Sequence, residues 1–176
     1  KADLSGANLA KNGSTATNLS NADLTGAILT SAVLSDANLT GANLTGANLS
    51  GANLTSTVLT GANLTGADLT GTTLTTIVIS GTTNLTSAIL VGADLGGDDL
   101  TGVDLEKADL RGADLAGTDL ENAILTGANL GKNGDTATDL TGAILTGAQL
   151  SKADLSGANL AKNGSTATNL SNADLT

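Results

Sequence analysis

Phenylalanine, tyrosine, tryptophan, methionine, cysteine, histidine and proline are all missing from this chain of 176 residues. Each absence excludes something. Without cysteine there are no disulfides, thiolate metal sites or cysteine nucleophiles, and the redox compartment stays open. Without histidine the commonest general base is gone. No phosphate-binding loop is present, no serine has a plausible base beside it, and the carboxylate pairs that exist do not suggest a cleft. No enzyme activity, cofactor or metal site is expected. An ordinary globule fills awkward core volume with aromatic rings; here a hydrophobic content of 40% is carried by Ala, Leu, Ile and Val alone. Basic residues are scarce, with 7 Lys and Arg against 17 Asp and Glu and a net charge of −10. That balance favours solubility and argues against nucleic-acid partners, which need clustered Lys and Arg. No apolar run approaches the length of a membrane span.

What remains is a repeat. Residues 41–55 read GANLT, GANLS, GANLT. With the leucine as centre, units recur every fifth residue from Leu4 to Ile79; after one extra residue near Gly81 they resume at Leu85 and run to Leu175. Two places before each centre stands a small residue, as in Ala2, Ala7 and Ala22, and between them Asp or Asn, as in Asp3, Asn8 and Asp23. Thr or Ser follows the centre, and then very often Gly.

A period of five fits neither regular element. An α-helix would rotate each leucine by about 140° and scatter them around its circumference. A flat strand would send successive leucines to opposite faces. The pattern closes if the chain bends once per unit, so that every centre points inward. Such a coil cannot bury its leucines alone and must stack on the next one.

The motif A-(D/N)-L-x-x resembles the pentapeptide-repeat family, and the resemblance covers essentially the whole chain. It implies an all-β fold, a right-handed quadrilateral β-helix with four units per turn. In that geometry the leucine and the small residue fill the interior. With about 35 centres, the chain would make about nine coils.

Residues 1–25 recur without change as 152–176, which defines a period of 151 residues. A single repeat domain spanning 1–176 is therefore expected to be a window of a longer array, or a unit of a fibre. Thirty pentads and one extra residue predict seven and a half turns per period. Equivalent residues of successive periods would then lie on opposite faces. No capping element is evident at either end, so compatible ends favour end-to-end self-assembly. A rigid rod or fibre is the favoured function, outside the cell or at its surface rather than in the cytoplasm.

Three segments break the motif: Lys11 to Thr17, Lys132 to Thr138 and Lys162 to Thr168. In strict register their centres would be Ser14, Asp135 and Ser165. A buried unpaired carboxylate is costly, so Asp135 is expected to reach solvent. The Asn-Gly pairs Asn12-Gly13, Asn133-Gly134 and Asn163-Gly164 mark local bulges or loops, with Ala16, Ala137 and Ala167 available to turn inward instead. Ile77 stands where a small residue is usual and should overfill its layer, with a bulge just after it near Gly81.

Charge concentrates late in the chain. Asp94, Asp98, Asp99, Asp104, Glu106, Asp109, Asp114, Asp119 and Glu121 lie in one stretch, relieved by Lys107 and Arg111. Four units apart means the same face one turn on, which puts Asp94 beneath Asp114 and Asp99 beneath Asp119. The residues Asp94, Asp99, Asp104, Asp109, Asp114 and Asp119 form a candidate acidic interaction face. The bland reading is a solvated surface; stacked carboxylates could also take Ca²⁺. A third reading comes from the resemblance, since some family members imitate B-form DNA and bind DNA gyrase, which makes a protein partner the alternative function. Against it, no centre is Phe and no helical dimerisation segment is present. Threonine ladders could order ice only as one flat array, and here they occupy every side. The many Asn-Leu-Thr/Ser triplets follow from the motif and carry no glycosylation signal of their own.

Overall fold

The computed structural model describes residues 2–10, 13, 15–162 and 167–175. It is a four-sided coil whose turns are joined by isolated parallel bridges, one per side at each turn except between Val78 and Asp99. We number the sides in chain order. Face 1 carries Asp3, Ile28, Asn48, Asp68, Ile89, Asp109, Asn129 and Asp154, each bridged to the next. Face 2 runs from Asn8 through Val33, Asn53, Thr73, Asp94, Asp114 and Asp139 to Asn159. Face 3 comprises Asn18, Asn38, Val58 and Val78, then Asp99, Asp119, Ile144 and Asn169. Face 4 comprises Asp23, Asn43, Asn63, Asn84, Asp104, Ile124, Gln149 and Asp174.

Why the unit needs these residues follows from its backbone hydrogen bonds. In residues 42–46 all five amides have partners. The Asn43 N–H donates to the Ala22 carbonyl of the coil before (2.9 Å), and those of Leu44 and Gly46 donate to Asn63 and Thr65 of the coil after (2.7 and 2.9 Å). The Ala42 N–H donates to the Leu39 carbonyl across the corner (3.0 Å). The fifth donor, the Thr45 N–H, has no backbone acceptor; it is taken by the Asn43 side-chain oxygen at 3.1 Å, which the Thr45 hydroxyl also reaches at 2.6 Å. Asp serves as well as Asn, because only an oxygen two residues back is required.

The corner closes between the centre and the residue three further on, and the position before that small residue takes a left-handed φ. An i to i+3 bond with positive φ at the third residue only is a type II turn, which favours Gly there. Asn, Ser, Asp, Lys and one Thr also occupy it. At Gly41 space adds to conformation: a Cβ there would stand 2.6 Å from the Asn21 side-chain oxygen.

Leucine columns and small-residue columns fill the interior, with Leu29, Leu34, Leu39 and Leu44 wholly inaccessible. Each buried leucine contributes about 1.5–3 kcal/mol. Where threonine replaces alanine it remains buried and its hydroxyl donates to a leucine carbonyl: Thr57 to Leu34, Thr83 to Leu59 and Thr118 to Leu95, all at 2.9 Å.

Two expectations need correction. Most rungs join residues twenty apart, but Asp3 bridges Ile28 and Asp114 bridges Asp139, which are twenty-five apart. Each shift of five spans a motif-breaking segment; at 132–138, which is described throughout, the extra five residues leave the coil as a loop, as expected, so Asp135 is not a centre. The described residues make eight coils, and 151 residues make seven complete turns. Asp3 and Asp154, which are period equivalents, end the same ladder seven rungs apart, as do Asn8 and Asn159 on face 2 and Asp23 and Asp174 on face 4. Equivalent residues share a face rather than opposing one another.

The second correction concerns Ile77. Its layer is underfilled, with a void of about 10 Å³ lined by leucines of three coils together with Ile77 and Ile79. The extra residue is absorbed between Val78 and Asn84, as the step from Asn63 to Asn84 shows. Ile79 is only partly buried as a result, and the volume it leaves stays empty.

Replacing Leu44 by Asp places a charge in the central layer and should abolish the far-ultraviolet β signal at 25 °C; Leu44→Ala should cost about 2–5 kcal/mol in urea denaturation. Asn43→Ala should cost about 0.5–1.5 kcal/mol by leaving the Thr45 amide without its acceptor, whereas Asn43→Asp should be near neutral.

Candidate functional site

The six carboxylates of the candidate face divide over all four sides. Asp94 and Asp114 are successive rungs of face 2, followed by Asp139; Asp99 and Asp119 are successive rungs of face 3. Those stackings follow the expected four-unit spacing. Asp104 sits alone on face 4 between Asn84 and Ile124, and Asp109 alone on face 1 between Ile89 and Asn129. The set is therefore a girdle around coils five and six and not a single acidic face.

Each of these side chains also has a structural task. Asp99, Asp104, Asp114 and Asp119 accept the amide two residues on at 2.9–3.0 Å, and Asp94 and Asp109 do so at 3.3 Å. Bonds from Thr101, side chain first, hold the Asp99 carboxyl below the usual range. Asp109 is held low chiefly by the Arg111 guanidinium, whose Nε and Nη2 reach its two oxygens at 2.8 and 2.6 Å. Lys107 pairs with Glu106 at 2.5 Å. Among the described residues, no group of three or more acidic side chains is placed to hold a metal ion.

Of the motif breaks, the one at 132–138 is described throughout. Asn133 and Thr136 form an antiparallel bridge with reciprocal bonds of 2.8 and 3.1 Å. The tip between them is Gly134 and Asp135. Gly134 has a φ of 59°, the left-handed first tip residue that a two-residue hairpin favours. Asp135 is exposed, as expected from its exchange with Ser. Ala137 is only half-buried; the residue that turns inward is Thr138, fully buried, with its hydroxyl 2.7 Å from the Gly131 carbonyl and 2.9 Å from that of Leu110. Thr138 also accepts the Gly112 amide at 2.9 Å, so it clamps the base of the hairpin. Gly13 is exposed with a φ of 61°. Asn12, Asn163 and Gly164, with Ser14 and Ser165, lie outside the described residues.

Asp98 escaped the sequence reading. It stands two places before Leu100, at the small-residue position, which is the signal that could have revealed it. It is 4% exposed, and its Oδ2 has no partner. It follows Ile77 in the same interior column, beside the one place on face 3 where, among the described residues, no bridge links Val78 to Asp99. Thr76, with a φ of 59°, adds a β-branched residue in left-handed conformation at the same seam. Loss of water pushes the Asp98 carboxyl from near 3.8 up to about 7, against the pull of the Thr76 and Ile77 amides and with help from Asp94.

A raised folded-state value means that the native protein holds this proton more tightly than the unfolded chain. The contribution is complete below about pH 4 and is lost as pH rises through about 7. The melting temperature should accordingly fall between pH 5 and 8, and Asp98→Asn should flatten that fall when both proteins are melted across the range.

Comparison with curated protein sequences gives no match. The profile described as "Pentapeptide repeats" matches in eight copies over residues 15–46, 37–75, 83–117, 104–132 and 136–162. Among known structures the chain is similar to HetL, a pentapeptide repeat protein involved in heterocyst differentiation regulation in the cyanobacterium Nostoc, at 34% identity over 98% of this chain and 82% of that one, with a TM-score of 0.55. It is also similar to a pentapeptide repeat protein of the Arabidopsis thaliana thylakoid lumen, at 30% identity over 69% and 67% of the two chains with a TM-score of 0.39. A trypsin-treated QnrB1, a plasmid-mediated fluoroquinolone resistance protein, aligns at 19% identity over 99% and 77% with a TM-score of 0.45. The four-sided coil, its type II corners and the profile matches together place this chain in the pentapeptide repeat family, as a right-handed quadrilateral β-helix.

Proposed function

We propose that the protein is a non-enzymatic structural rod, a building block that extends along its axis by tandem repetition or by end-to-end stacking of copies. The observation that carries this reading is the return of the bridged 151-residue equivalents, Asp3 and Asp154, Asn8 and Asn159, Asp23 and Asp174, to their own faces after seven turns. In a tandem array residues 152–176 take the place of residues 1–25, so the coils that follow keep the phase they have within one copy. The hydrogen bonds are complementary in the same sense. Leucine amides point to the coil after and the residue preceding each leucine offers its carbonyl to the coil before, as Leu150 does with Asp174 at 2.7 Å.

The surface supports a mechanical role more than a chemical one. The void beside Ile77 has a volume of about 10 Å³, too small for a substrate. The alternative, an acidic protein-binding surface of the gyrase-binding kind, gains nothing from the carboxylates. They form a girdle with two of their number stacked on each of two faces, and Asp109 is neutralised by Arg111. No helix among the described residues is long and apolar enough to cross a membrane.

Electron microscopy of purified protein over a wide concentration range tests the reading. Thin filaments that lengthen with concentration, with an axial repeat of about 38 Å for a stack of eight-coil copies, are the expected result. Short rods of constant length at every concentration would overturn it.

A further inference from the structure

From the ladders we infer that copies joined along the axis keep a single azimuth, so that an assembled rod carries the 133–136 hairpin as one straight row along one edge. The inference rests on the rod reading and goes beyond it, because a rod can repeat with or without rotation. A pentapeptide coil gives no reason for a whole number of turns per period. Thirty pentads would leave each copy half a turn out of phase with the last and would scatter any surface feature to alternate sides.

Two excursions in each period change that count. Five residues more than a corner needs separate Asn8 from Asn18 and Asn129 from Asp139, and the single extra residue between Val78 and Asn84 is absorbed without advancing a corner. The three irregularities together leave seven complete turns, and Asp3 and Asn8 regain faces 1 and 2 at Asp154 and Asn159. The hairpin leaves the corner between faces 1 and 2, after Asn129 and before Asp139. Its residues Lys132, Asn133, Gly134, Asp135 and Thr136 are all exposed. A further copy would raise the next hairpin on the same corner, about 34 Å along the axis in a tandem array and about 38 Å in a stack of separate copies. Such an edge is a regularly spaced series of identical polar attachment points, and the other three edges lack this hairpin.

Spin labels decide the azimuth on the chain as it exists. The exposed pairs Asp3→Cys with Asp154→Cys, and Asn8→Cys with Asn159→Cys, should give nearly equal separations of about 34 Å in pulsed dipolar measurements. Two unequal separations, or two that both exceed the axial rise, would place equivalents on different faces and overturn the inference. Neither measurement requires filaments. Gold attached through Asp135→Cys then reports the edge in any assembled rod: a single row supports the inference, and labels alternating across the rod defeat it. Failure to assemble at any concentration would instead remove the rod reading, while the two spin-label distances would still settle the azimuth.

Discussion

The structure depends on finding an acceptor for the one amide per unit that the stacked backbone cannot satisfy. Three of the five donors pair between coils and one closes the corner. The remaining donor belongs to the residue after each leucine, and the Asn or Asp oxygen two places back accepts it, as Asn63 does for Thr65. A buried or half-buried amide without a partner costs more than a typical hydrogen bond contributes. The motif can therefore be read as a hydrogen-bond balance sheet in five residues. Leucine and alanine fill the centre, Asn or Asp completes the backbone, and Gly permits the corner. Where Ile, Val or Thr takes the Asn position, as at Val58 and Val78, the unit gives up that side-chain acceptor, and such sites are a minority on every face.

Much of this was legible because the constraint is local. The inward leucines, the small residues beside them and the stacking of Asp94 under Asp114 all follow from a bend every five residues. The number of coils did not follow, and the reason is physical. An excursion of five residues preserves the spacing of leucines on both sides, so Leu130 and Leu140 keep step whether Asp135 lies in the wall or outside it. What separates the cases is Thr138, whose hydroxyl holds the two strands of chain together at the base of the hairpin. A threonine two places before a leucine also occurs in the unbroken wall, at Thr57 and Thr118, so sequence alone does not distinguish the roles.

The acidic girdle illustrates the same limit at the candidate site. Seen along the sequence, the carboxylates from Asp94 to Asp119 look like a concentration of charge with one purpose. Wound on a four-sided coil they divide among four directions, and each is occupied with its own turn. Asp98 behaves oppositely: unremarked among many acids, it is the one turned to the core. It lies in the column of Ile77 beside a missing rung and a void. The extra residue, the enlarged side chain, the strained Thr76 and the buried acid form one connected defect.

That defect has a use in folding. Coils built from the same leucines and alanines are nearly interchangeable, and a chain that paired one coil with the next but one would bury almost the same apolar area. Register is weakly specified wherever successive units look alike. The twenty-one-residue coil differs from its neighbours, because Ile77 stands where most units carry a small residue and Asn84 must advance by the extra residue to reach Asn63. Irregularities that weaken the wall locally thus number its turns, and a perfectly regular version of this sequence would lack any mark by which to count.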